Sequence, residues 1–244
     1  MTRDFKNIFC FVLGFLIAFI VMFSFEGAHA ATTSTSGVTA QTVMDRARID
    51  LNESTAVMWP DSNLLQWMDE AVREIVYQTR SLESAASNVI MNQDVYTYPI
   101  SGSFLDIETA LHDSGDTTEA TKVFALKRID IKDFGHSKET GKPKFFTIWA
   151  NSLLIWPIPD SDQSGSTVIL YRVTLPSGIT TTSSQIETPS YFDPAILNFL
   201  KARAFYKDVK EALGNYYMGL FDKRIREYMI NVQRREVLDP ELPQ

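Results

Sequence analysis

Cysteine is almost missing from this sequence: one occurs in 244 residues, Cys10, inside an apolar N-terminal stretch. The rest of the chain can form no disulfide, so cysteine neither requires nor forbids an oxidising compartment. Histidine is nearly as scarce, at His29, His112 and His136, and no Cys/His spacing of a zinc site occurs. Clustered positive charge is absent too. No run of Lys or Arg exceeds two residues, and the formal net charge is −7. Gripping a phosphate backbone takes grouped cations, so stable nucleic-acid binding is excluded as the main task.

Catalytic signatures are lacking as well. The sequence has no phosphate-cradling glycine loop, HExxH, GxSxG or Gly-rich dinucleotide turn. Two acidic pairs invite an acid–base reading, Asp106 with Glu108 and Asp160 with Asp162. The second lies in Pro-Asp-Ser-Asp-Gln-Ser-Gly, which lacks the repeated oxygen ligands and closing Glu of a calcium loop. Both pairs read as solvated turn residues. His112 beside Asp113 reads as an isolated surface-loop histidine. Trp149 and Trp156, near Phe145 and Phe146, read as hairpin core in preference to a sugar platform. Catalytic, cofactor-binding and metal residues are therefore expected to be none.

What the chain does have is apolar surface to bury. Hydrophobic residues make up 45% and aromatics 12%, enough for a real core. Arg3 and Lys6 precede an uncharged apolar run from Ile8 to Phe25, followed by Ala28-His29-Ala30. That order is the order of a secretory signal peptide, with an uncleaved anchor as the alternative for residues 1–30. Residues 31–38 read as a polar linker.

Helical spacing follows. Val43, Met44, Ala47 and Leu51 form a stripe capped by Thr39, and Leu64, Met68, Val72, Ile75 and Thr79 form a second, starting at Asp61 or Ser62 after Pro60. From Asn88 the period changes. Val95–Tyr98, Val123–Ile131, Phe145–Trp149, Leu153–Trp156 and Thr167–Val173 are short β-branched or aromatic runs, with Ala150-Asn151-Ser152 as a hairpin turn. Residues 112–118 and 135–141 read as exposed loops. After Pro189 the helical period returns, with Asp193 as cap, Pro194 in the first turn and a stop at Gly214. A last stripe is Tyr217, Phe221, Ile225, Tyr228 and Val232.

The expected fold is α+β: a four-helix bundle, two helices N-terminal and two C-terminal, with an inserted antiparallel β-domain. The expected boundaries are 39–87 and 189–236 for the bundle, 88–188 for the β-domain and 237–244 for a C-terminal tail. With no constellation of chemistry, binding other proteins is the expected function.

Four stretches, in order, resemble the head–tail adaptor (connector) proteins of tailed bacteriophages over about residues 39–232. They are Val43-Met44-Asp45-Arg46-Ala47-Arg48 with Trp59–Ala71; Leu153–Asp160; Val168–Pro176; and Ile186–Tyr191 leading into Ala202–Asp208. The resemblance implies a non-enzymatic virion protein of the neck. It implies a ring, typically of twelve copies, beneath the portal protein, which extends the DNA channel and presents a surface to tail or nozzle proteins. The helices would face the portal and neighbouring subunits, and the β-domain the tail side. DNA would pass the lumen without specific binding. Two features depart from that pattern: the export-like N-terminus, and Pro60 where a Ser or Thr cap is usual. The N-terminus keeps a second reading open, an exported or membrane-anchored envelope protein, perhaps prophage-derived, whose β-domain binds a ligand or partner.

Overall fold

The computed structural model describes residues 36–53, 58–114, 123–134 and 138–238. The signal-like segment 1–30, most of the linker, parts of both expected loops and the tail from residue 239 lie outside the described residues. Among the described residues there are four α-helices and seven strands.

Helix α1 spans Ala40–Asp50 and α2 spans Asp61–Thr79. Thr39 caps α1 as its type predicts: it is extended, and its hydroxyl accepts from the Thr42 amide at 3.4 Å. In α2 neither Asp61 nor Ser62 takes the capping place. Pro60 holds it without a side-chain bond, and Asp61 turns its carboxylate to Arg48 at 2.6 Å. Arg48 also bonds Glu53 and the Trp59 carbonyl, so one guanidinium joins the two helix ends.

Helix α3 runs Asp193–Lys207 and α4 runs Glu211–Leu238. Asp193 is already inside α3, with Phe192 in the cap position and Pro194 in the first turn. The expected stop at Gly214 is wrong. The chain breaks at Asp208–Lys210, and Gly214 lies within α4. Glycine is needed there for closeness, not for termination: a Cβ would stand 2.5 Å from two ring carbons of Tyr206.

One apolar cluster takes residues from all four helices. It includes Val43 and Met44 of α1, Leu64, Met68 and Ile75 of α2, Ile196, Phe199 and Leu200 of α3, and Phe221 and Ile225 of α4. Trp59 is buried within it and Trp67 packs against its edge. The backbone at Ser36–Gln41 ties in the loop that precedes α3, with bonds Ser36 N to Thr188 O at 3.1 Å and Ile186 N to Val38 O at 2.9 Å.

The strands are β1 Glu83–Ile90, β2 Thr97–Pro99, β3 Phe104–Asp113, β4 Val123–Arg128, β5 Phe145–Trp149, β6 Ser152–Trp156 and β7 Thr167–Thr174. They form one sheet in the order β1-β7-β3-β4-β5-β6-β2. The sheet is mixed and curled, where a wholly antiparallel one was expected. Strands β4 and β5 meet in parallel at Lys127–Phe145 and Arg128–Phe146, and all other pairings are antiparallel. Strand β5 begins level with Lys127, so only the last two residues of β4 pair with it.

Two strands carry no clean alternation. In β3, register shifts between Phe104 and Asp106 and between Ile107 and Thr109 break the period, so that Ile107 and Ala110, three apart, are both buried. Strand β1 has a shift between Ala85 and Asn88 and starts at Glu83, ahead of the change of period at Asn88. The inner side of the sheet holds a second core of Tyr98, Ile107, Leu126, Phe146, Leu153, Ile155, Val168 and Leu170.

Candidate interaction surfaces

The side of the sheet turned away from this core mixes apolar and polar residues. Directly paired residues share a face, so the register fixes its rows. Ile90, Thr167, Asp113 and Val123 make one row, and Asn88, Ile169, Leu111 and Ala125 the next. The neighbours of these residues along each strand, Val168, Leu170, Ala110, His112 and Leu126, are the buried ones. Ile90 is 63% exposed, and Val123 and Tyr171 are exposed as well. The face continues onto β5 and β6 through Phe145, which stacks on Trp156 at 5.5 Å, and ends at Trp149 on the hairpin tip.

Trp149 is 61% exposed. It is not hairpin core, because it alternates with buried Phe146 and half-buried Ile148 onto the outer side. The turn Ala150-Asn151, both with positive φ, leaves it standing at the end of the ladder. Trp149 thus stands as an exposed aromatic at the tip of the β5–β6 hairpin.

His112 corrects the reading as a loop residue: it lies on β3 and is fully buried. Its Nε2 stands 3.1 Å from Ser166 Oγ, and that hydroxyl donates to the Gln163 carbonyl. The hydroxyl proton being committed, the imidazole donates from Nε2, and Nδ1 is left buried without a partner. Its ring meets Phe124 edge-on at 4.7 Å, and Lys142 lies over the other ring. Burial first, then the Lys142 charge, lowers the imidazole pKa to about 4, against a weaker opposing pull from Asp113. A serine whose proton goes to a backbone carbonyl is no nucleophile, so this pair ties β3 to the turn before β7.

The acidic pairs do not converge. Asp106 accepts from Arg80 at 2.6 Å and Arg128 at 3.0 Å, and Glu108 lies 3.7 Å from Arg80. Burial pushes the Asp106 carboxyl up, but the bonds from Arg80 and Arg128 outweigh it, so its pKa falls below the usual range. Asp160 accepts from the Asp162 and Gln163 amides and caps a single 3₁₀ turn. Among the described residues no group of three or more His, Cys, Asp or Glu could hold a metal ion. No helix among them is long and apolar enough to cross a membrane.

A third exposed feature lies at the α3–α4 turn. Val209 is 82% exposed, with Leu213 and Tyr216 beside it on the first turns of α4. Sequence reasoning missed this turn by carrying the helix through to Gly214. Its only signal was Asp208-Val209-Lys210, a polar interruption without Gly, Asn or Pro.

The described surface carries exposed apolar side chains at Ile90, Val123, Trp149 and Val209. The profile of the SU10 adaptor protein family matches residues 38–241, and the chain belongs to that family, a phage head–tail adaptor family. A comparison with curated proteins gave no match. Membership gives the chain a structural role in a phage. It implies a place in the virion and contact with other head and tail components.

Proposed function

We propose that this chain assembles as a ring beneath the portal, extends the DNA channel and docks the tail or nozzle protein. The family match over residues 38–241 carries this reading. The exposed apolar side chains on the outer face of the sheet, Ile90, Val123 and Trp149, support it as the docking side. In the same reading the four helices act as one bundle toward the portal and neighbouring subunits, residues 88–188 act as the inserted domain on the tail side, and the protein performs no catalysis. The formal charge of −7 fits a lumen through which DNA slides, because like charge repels phosphate.

The test is to mix the full chain with purified portal rings of the same phage and follow sedimentation. Co-sedimentation in a fixed ratio is expected. A chain that stays free at tens of micromolar would refute the adaptor role. Trp149→Lys should leave portal binding intact and abolish capture of the tail protein.

The order of charge, apolar run and small residues in 1–30 favours a second reading, an exported or anchored envelope protein. Sequencing the N-terminus of the protein in purified particles separates the two. An intact Met1, or none of the chain in particles, gives opposite answers.

A further inference from the structure

Val209 is held at φ +58°. Of the six non-glycine residues with positive φ among the described ones, it alone is β-branched. The left-handed region costs an L-residue about 1–2 kcal/mol, and glycine or asparagine usually takes this place after a helix. The turn itself is fully bonded, with Asp208 N to Ala204 O, Val209 N to Tyr206 O and Lys210 N to Phe205 O at 2.9–3.1 Å. A glycine would make the same bonds at lower cost. The isopropyl group, 82% exposed, gains no burial in its own chain to offset that cost. A costly residue with no return inside the protomer points outside it.

The same hairpin carries a matching recess. A groove of about 290 Å³ lies between α3 and α4, lined by Pro194, Ala195 and Asn198 of α3 and by Leu220, Lys223, Arg224 and Glu227 of α4. At the groove Lys223 and Arg224 share one carboxylate, Glu227, at 3.9 and 3.8 Å. Around the knob Asp208 pairs with Lys210 at 2.7 Å, while Glu211 has no ion pair among the described residues. The groove offers Ala195 and Leu220 to the apolar tip, and Lys223 at the groove and Glu211 beside the knob carry opposite charges.

We infer that the Val209 turn of one copy seats in the α3–α4 groove of the next, with Glu211 meeting Lys223 across the contact. The inference rests on the ring reading and names the contact that closes it. Knob and recess are different patches on the same chain, so the contact is head-to-tail, the type that propagates into a ring. It cannot be made within one chain. Glu211 and Lys223 are twelve residues apart on one helix, about 18 Å along its axis.

The experiment uses the full chain, alone and on portal rings, with sedimentation for assembly and thermal unfolding for the protomer. Val209→Gly should raise Tm and weaken self-association at least tenfold, two shifts in opposite senses that a merely structural residue would not give. Glu211→Lys and Lys223→Glu should each weaken assembly, and the double variant should restore it. Wild-type assembly that Val209→Gly leaves unchanged, or singles that weaken assembly with no recovery in the double, would overturn this contact and leave the adaptor role standing. A wild-type chain that assembles neither alone nor on the portal would overturn both.

Discussion

Alanine placed at two glycines of α4 should move stability in opposite directions. Gly219 is exposed and nothing lies within 4 Å of a Cβ added there. The change removes only backbone freedom, and Gly219→Ala should gain up to about 1 kcal/mol, the helix-propensity difference. At Gly214 the same gain meets a wall. The new methyl would sit 2.5 Å from Tyr206 Cδ1 and Cε1 and 3.0 Å from Cγ, against an ordinary carbon contact of about 3.5–4 Å. The ring must retreat by about 1 Å. It is held by its hydroxyl, which donates to Asn215 Oδ1 at 2.7 Å, and by the bonded turn that follows it. Overpacking of this size costs about 1–3 kcal/mol. Since the propensity gain is common to both variants, their difference isolates the steric cost. Urea denaturation of wild type, Gly214→Ala and Gly219→Ala at one pH gives that difference directly, with about 1–3 kcal/mol expected. If Gly214→Ala proved as stable as Gly219→Ala, the close crossing of α3 and α4 would be refuted.

Other outcomes follow from single contacts. The folded chain holds His112 near pKa 4, below the unfolded 6.5, so the unfolded chain takes the proton first. The stability from neutral His112 is present above about pH 6.5 and lost as pH falls toward 4, reaching a loss of about 2 kcal/mol at pH 5. Denaturation curves should show this loss in wild type and not in His112→Gln, and equal slopes in both would contradict a buried neutral imidazole. Thr39→Ala should cost about 0.5–1 kcal/mol through the lost cap, with Thr39→Ser close to wild type. Trp149→Ala should change folding stability by less than about 0.5 kcal/mol, since the ring is mostly in solvent; a larger loss would mean that it packs inside the protomer.

The helices were legible because their signals are local. The stripe from Leu64 to Ile75 and the capping of Thr39 need only neighbours a few residues away, and both are found. Strands β5, β6 and β7 fall within a residue of their expected ends, and β6 alternates in burial along its whole length. What escaped was written in contacts across the chain. The register shifts in β3 displace Ile107 and Ala110 from a common parity, so the strand lost its pattern and His112 was read as loop. Gly214 is a standard helix stop in sequence, yet here its use is set by Tyr206. Trp149 reads from sequence as hairpin core and stands exposed on the other side of the sheet, because alternation alone does not say which side is core. Val209 gave no signal, since its meaning lies in a backbone angle that only the fold imposes.

The tie between Ser36–Gln41 and the loop before α3 has a consequence for synthesis. Helices α1 and α2 leave the ribosome more than 110 residues ahead of α3, the element against which Met44, Met68 and Leu200 close their core. At about 5–20 residues per second, those first two amphipathic helices wait roughly 5–20 s with their apolar stripes uncovered. The sheet, complete once Thr174 has emerged, can close in that interval, and the helical core closes last. During that wait the nascent chain exposes the stripe from Leu64 to Val76, and there a chaperone has its longest opportunity to bind.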